Sequence, residues 1–389
     1  MDSRGDSSRN RSSLCLDAFI VALSQATEGR WYVSTRNLQL VSLQLCLAGR
    51  SVSTLSVRVD ANTPRSLLAR RGRRHTLPET AGWRTRSSTR VPVVRARGVT
   101  WELPAGIWSQ SRSTELLLLE RLEWLEFGKL FKGSLNGVVW PRGLKRVRLN
   151  GCFNRCVDGA SWPSSLQELT LGGNFNQPVI GVAWPASLRR LTLGGKFNRP
   201  IAGIEWPASL EELVFGHDFN QPIVNTTWPL SLRLLRFCSN FEQPIAEVEW
   251  PPRLQHLTLG SSFSQPNGGF RWPRCLTELA FGHYFNQPID GVVWPPALED
   301  LSIGNKFEQP IDAVAWPASL RRLKFGYWFN TPLEGVAWPP QLERLEFGEK
   351  FNQEVTGVMW PKSLKMIMTR EHVYHPVDGV ATRELRHAR

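Results

Sequence analysis

The chain has 389 residues, 47 of them Lys or Arg and 34 Asp or Glu, for a formal charge of +13. That length can bury a large core, while no stretch approaches 18 apolar residues, which excludes a helical membrane span. Six Cys are too few for a disulfide framework, so a reduced, cytoplasmic setting with no integral membrane association is expected.

The N-terminal region comes first, and it holds most of the charge. Residues 1–119 carry 18 Arg and 8 acids, a net of +10, whereas residues 120–389 carry 29 basic and 26 acidic residues, a net of +3. The basic cluster is ARRGRR at Ala69–Arg74, extended by Arg84, Arg86, Arg90, Arg95 and Arg97. Such a run can meet nucleic acid, an anionic membrane or an import receptor. It lacks the interleaved aromatics and the folded framework of a nucleic-acid module, so residues 1–110 are read as a basic, largely disordered leader and nucleic acid is not the expected partner. Leu14–Leu23 is apolar after Arg9 and Arg11, but Asp17 interrupts it, and no secretory signal is assigned. Residues 31–57 alternate, as in LQLVSLQLCL at Leu38–Leu47, and fit a small sheet fragment.

A periodic region follows, expected over residues 111–375 as about 11 to 12 units. Its first partial unit shows Leu122, Leu125, Phe127 and Gly128. From there eleven Trp recur at a spacing of 22, from Trp140 through Trp162, Trp184, Trp206, Trp228, Trp250, Trp272, Trp294, Trp316 and Trp338 to Trp360. A Phe column runs in phase from Phe131 to Phe351 and includes Phe175, Phe197, Phe219, Phe307 and Phe329. The fullest copies, from Trp184 and Trp316, give the pattern W-P-x-x-L-x-x-L-x-[LFI]-G-x-x-F-[NE]-x-P-[IVL]-x-x-[VI]-x. A fixed period of this size means stacked units that bury each other's apolar faces, a solenoid.

Within one unit, L-x-x-L-x-[LF], as at Leu188, Leu191 and Leu193, ends on the strand period of two and predicts a strand of three to five residues. The Gly after it, at Gly172, Gly194, Gly216, Gly260, Gly282, Gly304, Gly326 and Gly348, is expected to supply the φ of a sharp turn. Pro178, Pro200, Pro222, Pro244, Pro266, Pro288, Pro310 and Pro332 then argue against a helix in the return arm. The stretch after each Trp-Pro has room for one helical turn at most. Asn154, Asn176, Asn198, Asn220, Asn286, Asn330 and Asn352 are expected to form a ladder whose amides satisfy backbone groups of the turn or of the adjacent coil. Trp162, Phe175, Trp184, Phe197, Trp206, Phe219, Trp294, Phe307, Trp316 and Phe329 are the expected core ladder.

The stack must be closed at both ends, and residues 110–125 and 365–389 are the expected caps. Residues 376–389, with the ending TRELRHAR, read as a charged tail.

Side chains that face outward from the strands are the candidate binding face. They are Glu168, Thr170, Arg190, Thr192, Glu212, Arg236, His256, Thr258, Glu278, Asp300, Ser302, Arg322, Lys324, Arg344 and Glu346. Both signs of charge mix there, which suits protein recognition better than a polyanion. No P-loop, dinucleotide fingerprint, HExxH, GxSxG or four-ligand Cys/His cluster is present, so no catalytic residue, metal site or cofactor is assigned. His217, His256 and His283 share no level of the stack with a recurring Asp or Ser and read as surface residues.

The unit resembles the leucine-rich repeat superfamily, and within it the short FNIP-type repeats of social amoebae and other protists. The residues that carry the resemblance are F-N-Q-P-[IV] at Phe175–Val179, Phe219–Ile223 and Phe285–Ile289, and F-N-R-P-I at Phe197–Ile201. It covers roughly residues 116–375. Glu242, Glu308 and Ser264 replace the Asn, Cys238 the Gly and Glu354 the Pro. The fold class implied is a β-rich, leucine-rich-repeat-like solenoid of 22-residue units with short parallel strands and irregular return arms. Its implied role is that of a non-enzymatic protein-binding or scaffold module with an unknown protein partner. A carbohydrate-binding or carbohydrate-active β-solenoid, and a nucleic-acid-associated protein acting through the basic leader, are the alternatives.

Overall fold

The computed structural model describes residues 55–58, 98–102, 122–266, 269–355, 357–370, 372–377 and 380–385. The chain divides into two units, Met1–Gly151 and Cys152–Arg389. The alternating segment Leu38–Leu47, the basic cluster at 69–97 and the last four residues lie outside the described residues.

In the first unit four strands pair in parallel and in chain order: β1 (Leu55–Arg58), β2 (Gly98–Glu102), β3 (Trp124–Phe127) and β4 (Arg146–Leu149). The first two fall inside the basic N-terminal region. In β3 and β4 alternate side chains are buried, so Leu125, Phe127, Val147 and Leu149 share one core with Phe131, Leu135 and Leu144.

The second unit holds ten three-residue parallel strands, again in chain order: β5 (Glu168–Thr170), β6 (Arg190–Thr192), β7 (Glu212–Val214), β8 (Leu234–Arg236), β9 (His256–Thr258), β10 (Glu278–Ala280), β11 (Asp300–Ser302), β12 (Arg322–Lys324), β13 (Arg344–Glu346) and β14 (Met366–Met368). Each residue pairs with the one 22 positions along, as in Leu169 opposite Leu191 and Leu191 opposite Leu213. The sequence period therefore becomes a set of vertical columns. An antiparallel hairpin, β15 (His372–Val377) and β16 (Val380–Leu385), follows β14, with Ile367 opposite Tyr374. β16 lies in the segment expected as a charged tail.

One coil is a strand and three tight turns. In the copy from Trp184, the Leu188 N–H donates to the Pro185 carbonyl (3.0 Å), Phe197 to Gly194 (2.9 Å) and Ile204 to Ile201 (3.3 Å). Each is the bond that closes a four-residue turn, so the step after Trp-Pro is a β-turn. Leu188, Leu191, Leu193, Phe197 and Ile201 are all at most 1% exposed. The Phe column forms the centre of the core, with successive rings stacked at 6.0–6.4 Å from Phe153 through to Phe307. The Trp column lies at its rim. Trp206 and Trp294 are buried, whereas Trp162, Trp184 and Trp316 are half-buried. Indole and strand-end Phe meet edge to face, as in Phe281–Trp294 and Trp316–Phe325, both at 84°.

The glycine after the strand has a different reason from the one expected. Positive φ belongs to another column, Gly181, Gly203, Gly291, Gly335 and Gly357 in the third turn, with Asn225 at 63° in the same slot. The strand-end glycines are instead places where one coil lies directly on the next. A Cβ on Gly194, Gly216, Gly282 or Gly348 would run into the carbonyl oxygen of the glycine one coil earlier. Cys238 occupies this column in one coil, and nothing around it explains why a Cβ is admitted there.

Candidate functional site

The repeated polar side chains are used up in stacking. Asn154 Oδ1 accepts the backbone N–H of Asn176 (2.9 Å), Asn176 that of Asn198 (3.0 Å) and Asn198 that of Asn220 (3.0 Å). The Gln one residue further adds a second bond to the same oxygen, as Gln177 Nε2 to Asn154 (3.0 Å) and Gln221 Nε2 to Asn198 (2.9 Å). Where Ser264 replaces Asn, its hydroxyl takes the same two bonds at 3.4 Å. A Ser column at 187, 209, 231, 319 and 363 donates to the Leu carbonyl of the preceding coil at 2.6–2.8 Å. Neither the Gln nor the Ser column was foreseen, although both repeat at the period of 22.

Every residue of the expected binding face stands on its strand beside a buried Leu, and all are exposed or half-exposed. Most of the charged ones pair across neighbouring strands, and Arg344 pairs with Glu346 within its own strand. Arg190 reaches Glu168 (2.8 Å) and Glu212 (2.9 Å), and those carboxylates, Glu212 foremost, hold its guanidinium still more firmly protonated. His256 meets Glu278 (2.8 Å), Asp300 pairs with Arg322, and Lys324 lies 3.3 Å from Glu346, which also accepts from Arg344. Parallel pairing with no shift puts opposite charges directly beside each other at Glu168, Arg190 and Glu212, at Asp300 and Arg322 and at Lys324 and Glu346, the cross-strand arrangement that supports a sheet, although Glu278 faces Asp300 and Arg322 faces Arg344. Thr170, Thr192, Thr258 and Ser302 supply the neutral part of the face, and Arg236 lies beside Cys238, whose thiol burial pushes up in pKa against the opposing effect of Arg236.

One groove of about 900 Å³ runs along the carboxyl ends of the strands from Phe237 to Arg370. Its floor is the strand-end glycines and Phe rings; one wall is Thr258, Ser302, Lys324 and Glu346 of the strands. The other wall is the second turn, through Ser261, His283, Asn305, Tyr327 and Glu349. The structure thus brings only the second outward strand column to this groove.

Next to the groove lies a strip absent from the sequence-based expectations. Tyr284, Tyr327 and Trp328 are 56%, 40% and 39% exposed. They fill the two variable slots between the strand-end residue and the core Phe, and Tyr or Trp in slots held elsewhere by Gly, Ser, Asn, His, charged side chains, Leu130 or Cys152 is the available signal. Among the described residues no three His, Cys, Asp or Glu side chains converge as a metal site, and Cys152, Cys156, Cys238 and Cys275 are free thiols.

Stacked 22-residue coils, each a short parallel strand and an irregular return arm, define a leucine-rich-repeat-like solenoid, with units of FNIP-repeat-like form. A model of the FNIP Repeat matches residues 197–240, 285–328 and 307–350. By structure the chain is similar to CroV588, a circular leucine-rich-repeat protein, with a TM-score of 0.52 and 28% identity over 72% of this chain. It spans 50% of that protein's length. It is also similar to the internalin inlF from Listeria monocytogenes strain 4b F2365, with a TM-score of 0.43 and 16% identity, covering 66% of this chain and 82% of that one. No curated protein matches its sequence.

Proposed function

We propose that the protein is a non-enzymatic binding module that holds a partner protein in the groove over the carboxyl ends of β8 to β14. The observation that carries this reading is the division of labour within the coil. Asn, Gln, Ser, Gly, Leu and Phe recur because stacking consumes them, whereas the groove is walled by side chains that change from coil to coil. A surface of that kind, mixed in charge and long in one direction, suits an extended protein segment. Sugar binding on the Phe column is disfavoured because those rings are inside. The units are read as FNIP-type repeats of protist kind from their F-N-x-P-[IV] copies, and a reducing, cytoplasmic setting from six Cys that are too few for a disulfide framework.

A photoreactive amino acid at position Ser302, inside the groove, is expected to cross-link a discrete protein in cells. The same group at Val293, 80% exposed just past the third turn, is expected to give none. Equal labelling from both positions, or none from Ser302, would reject the groove.

A further inference from the structure

The two slots between the strand-end Gly and the core Phe change character along the stack. Five successive coils place Gly173 and Asn174, Gly195 and Lys196, His217 and Asp218, Ser239 and Asn240, and Ser261 and Ser262 there. The next four place His283 and Tyr284, Asn305 and Lys306, Tyr327 and Trp328, and Glu349 and Lys350. Small or polar residues therefore satisfy the stack, and large exposed aromatics answer no packing need.

Lys306 and Lys350 flank the Trp328 ring from the coils before and after it, with Nζ 4.5 and 5.5 Å from the ring centroid. Lys350 also lies 5.9 Å from the Tyr327 ring. Neither lysine has a carboxylate partner among the described residues, in contrast to the paired charges of the strand face. The result is two uncompensated ammonium groups, two coils apart, with aromatic surface between them and the groove alongside.

We infer that Tyr284, Lys306, Tyr327, Trp328 and Lys350 form a docking strip for an acidic segment of a partner protein. Two carboxylates of that segment meet Lys306 and Lys350, and an apolar side chain between them lies against the aromatic edges. Charge complementarity selects the anion. The lysines stand over the indole face that a nucleobase or a sugar ring would need, which favours a peptide. Glu346 and Glu349 nearby, paired with Lys324, Arg344 and Arg370, keep the surroundings mixed in charge, which suits a short acidic segment better than a continuous polyanion.

This site deepens the groove reading and rests on it for the partner being a protein. The test uses the full chain and a fluorescein-labelled pool of 12-residue peptides with two Glu three positions apart, about 10 Å in an extended chain, and apolar residues between them. Anisotropy should show saturable binding that weakens as salt rises, while a pool with Gln in place of Glu binds at least about tenfold more weakly. The double variant K306Q/K350Q, and separately W328S, should each lose about tenfold with an unchanged melting temperature. K196Q, a lysine in the same slot whose neighbouring coils carry no Tyr or Trp there, should bind as the unaltered protein does. Equal binding of both pools, no loss in K306Q/K350Q, or an equal loss in K196Q would overturn the strip. So would a sulfated oligosaccharide or oligo-dT that binds the lysine pair in preference to the peptides. Cross-linking from Ser302 with no peptide binding would reject the strip and leave the groove; peptide binding with no cross-link would do the reverse.

Discussion

At the scale of single residues, two glycine columns look alike in sequence and differ in physical cause. Gly282 has no room for a Cβ, because the backbone of Gly260 and Ser261 lies against it. Gly291 has open space but a φ of 74°. Ala313 and Glu247 close the same third turn without positive φ, so that turn has an alternative geometry. Gly282→Ala should therefore cost about 3 kcal/mol through forced separation of coils, and Gly291→Ala less, about 1 to 2 kcal/mol, through its positive φ. Urea unfolding of the two variants reads the difference, and equal midpoints would refute the distinction. Asn198 offers a second comparison, since its one oxygen holds both the Asn220 N–H and the Gln221 amide. Asn198→Ala should lose about 1 kcal/mol. Asn198→Ser should recover part of it, as Ser264 holds the same two bonds at greater length.

At the scale of the strand, three residues with one buried Leu cannot hold a register alone. Register comes from the columns on either side, and the outward charges take part in it. Arg190→Glu would set three carboxylates side by side on β5, β6 and β7, and should cost about 1 kcal/mol at low salt and less at high salt. A loss that is independent of salt would mean that the pairs do not act through charge. Near the end of the ladder, Glu343 accepts from Lys365 and Arg321, both at 2.8 Å, and Lys365 first, then Arg321, holds its carboxyl below the usual value. Because the folded-state pKa is the lower one, its stabilising contribution is present above the unfolded-state pKa and is lost as the pH falls through the folded value. NMR titration should show Glu343 protonating at lower pH than an ordinary Glu, and Lys365→Ala should move it back up.

At the scale of the molecule, a stack of identical coils has no natural end. In the second unit the last parallel strand, β14, would present an open edge, and Ile367 on it is fully buried and pairs with Tyr374 of β15. Antiparallel pairing turns the chain back on itself and covers that edge. Deleting residues 371–389 should lower the melting temperature and produce concentration-dependent aggregation in size-exclusion chromatography. A monomer of unchanged stability would show that the hairpin is not a cap.

The period of 22 was enough to derive the solenoid, the short strand at Leu191–Leu193, the non-helical return arm and the Asn ladder. A repeated residue reports a repeated environment, and stacking is the only environment that recurs at every coil. The same logic hid the rest. Which glycines need positive φ and which need the missing Cβ depends on the distance between coils, and that distance exists only once they are stacked. The pairing of Arg190 with Glu168 and Glu212, residues that appeared in sequence as part of an available mixed surface, exists only once parallel pairing sets them side by side. Tyr284, Trp328 and their lysines occupy sites the repeat leaves unspecified, so only their juxtaposition across successive coils makes them a strip.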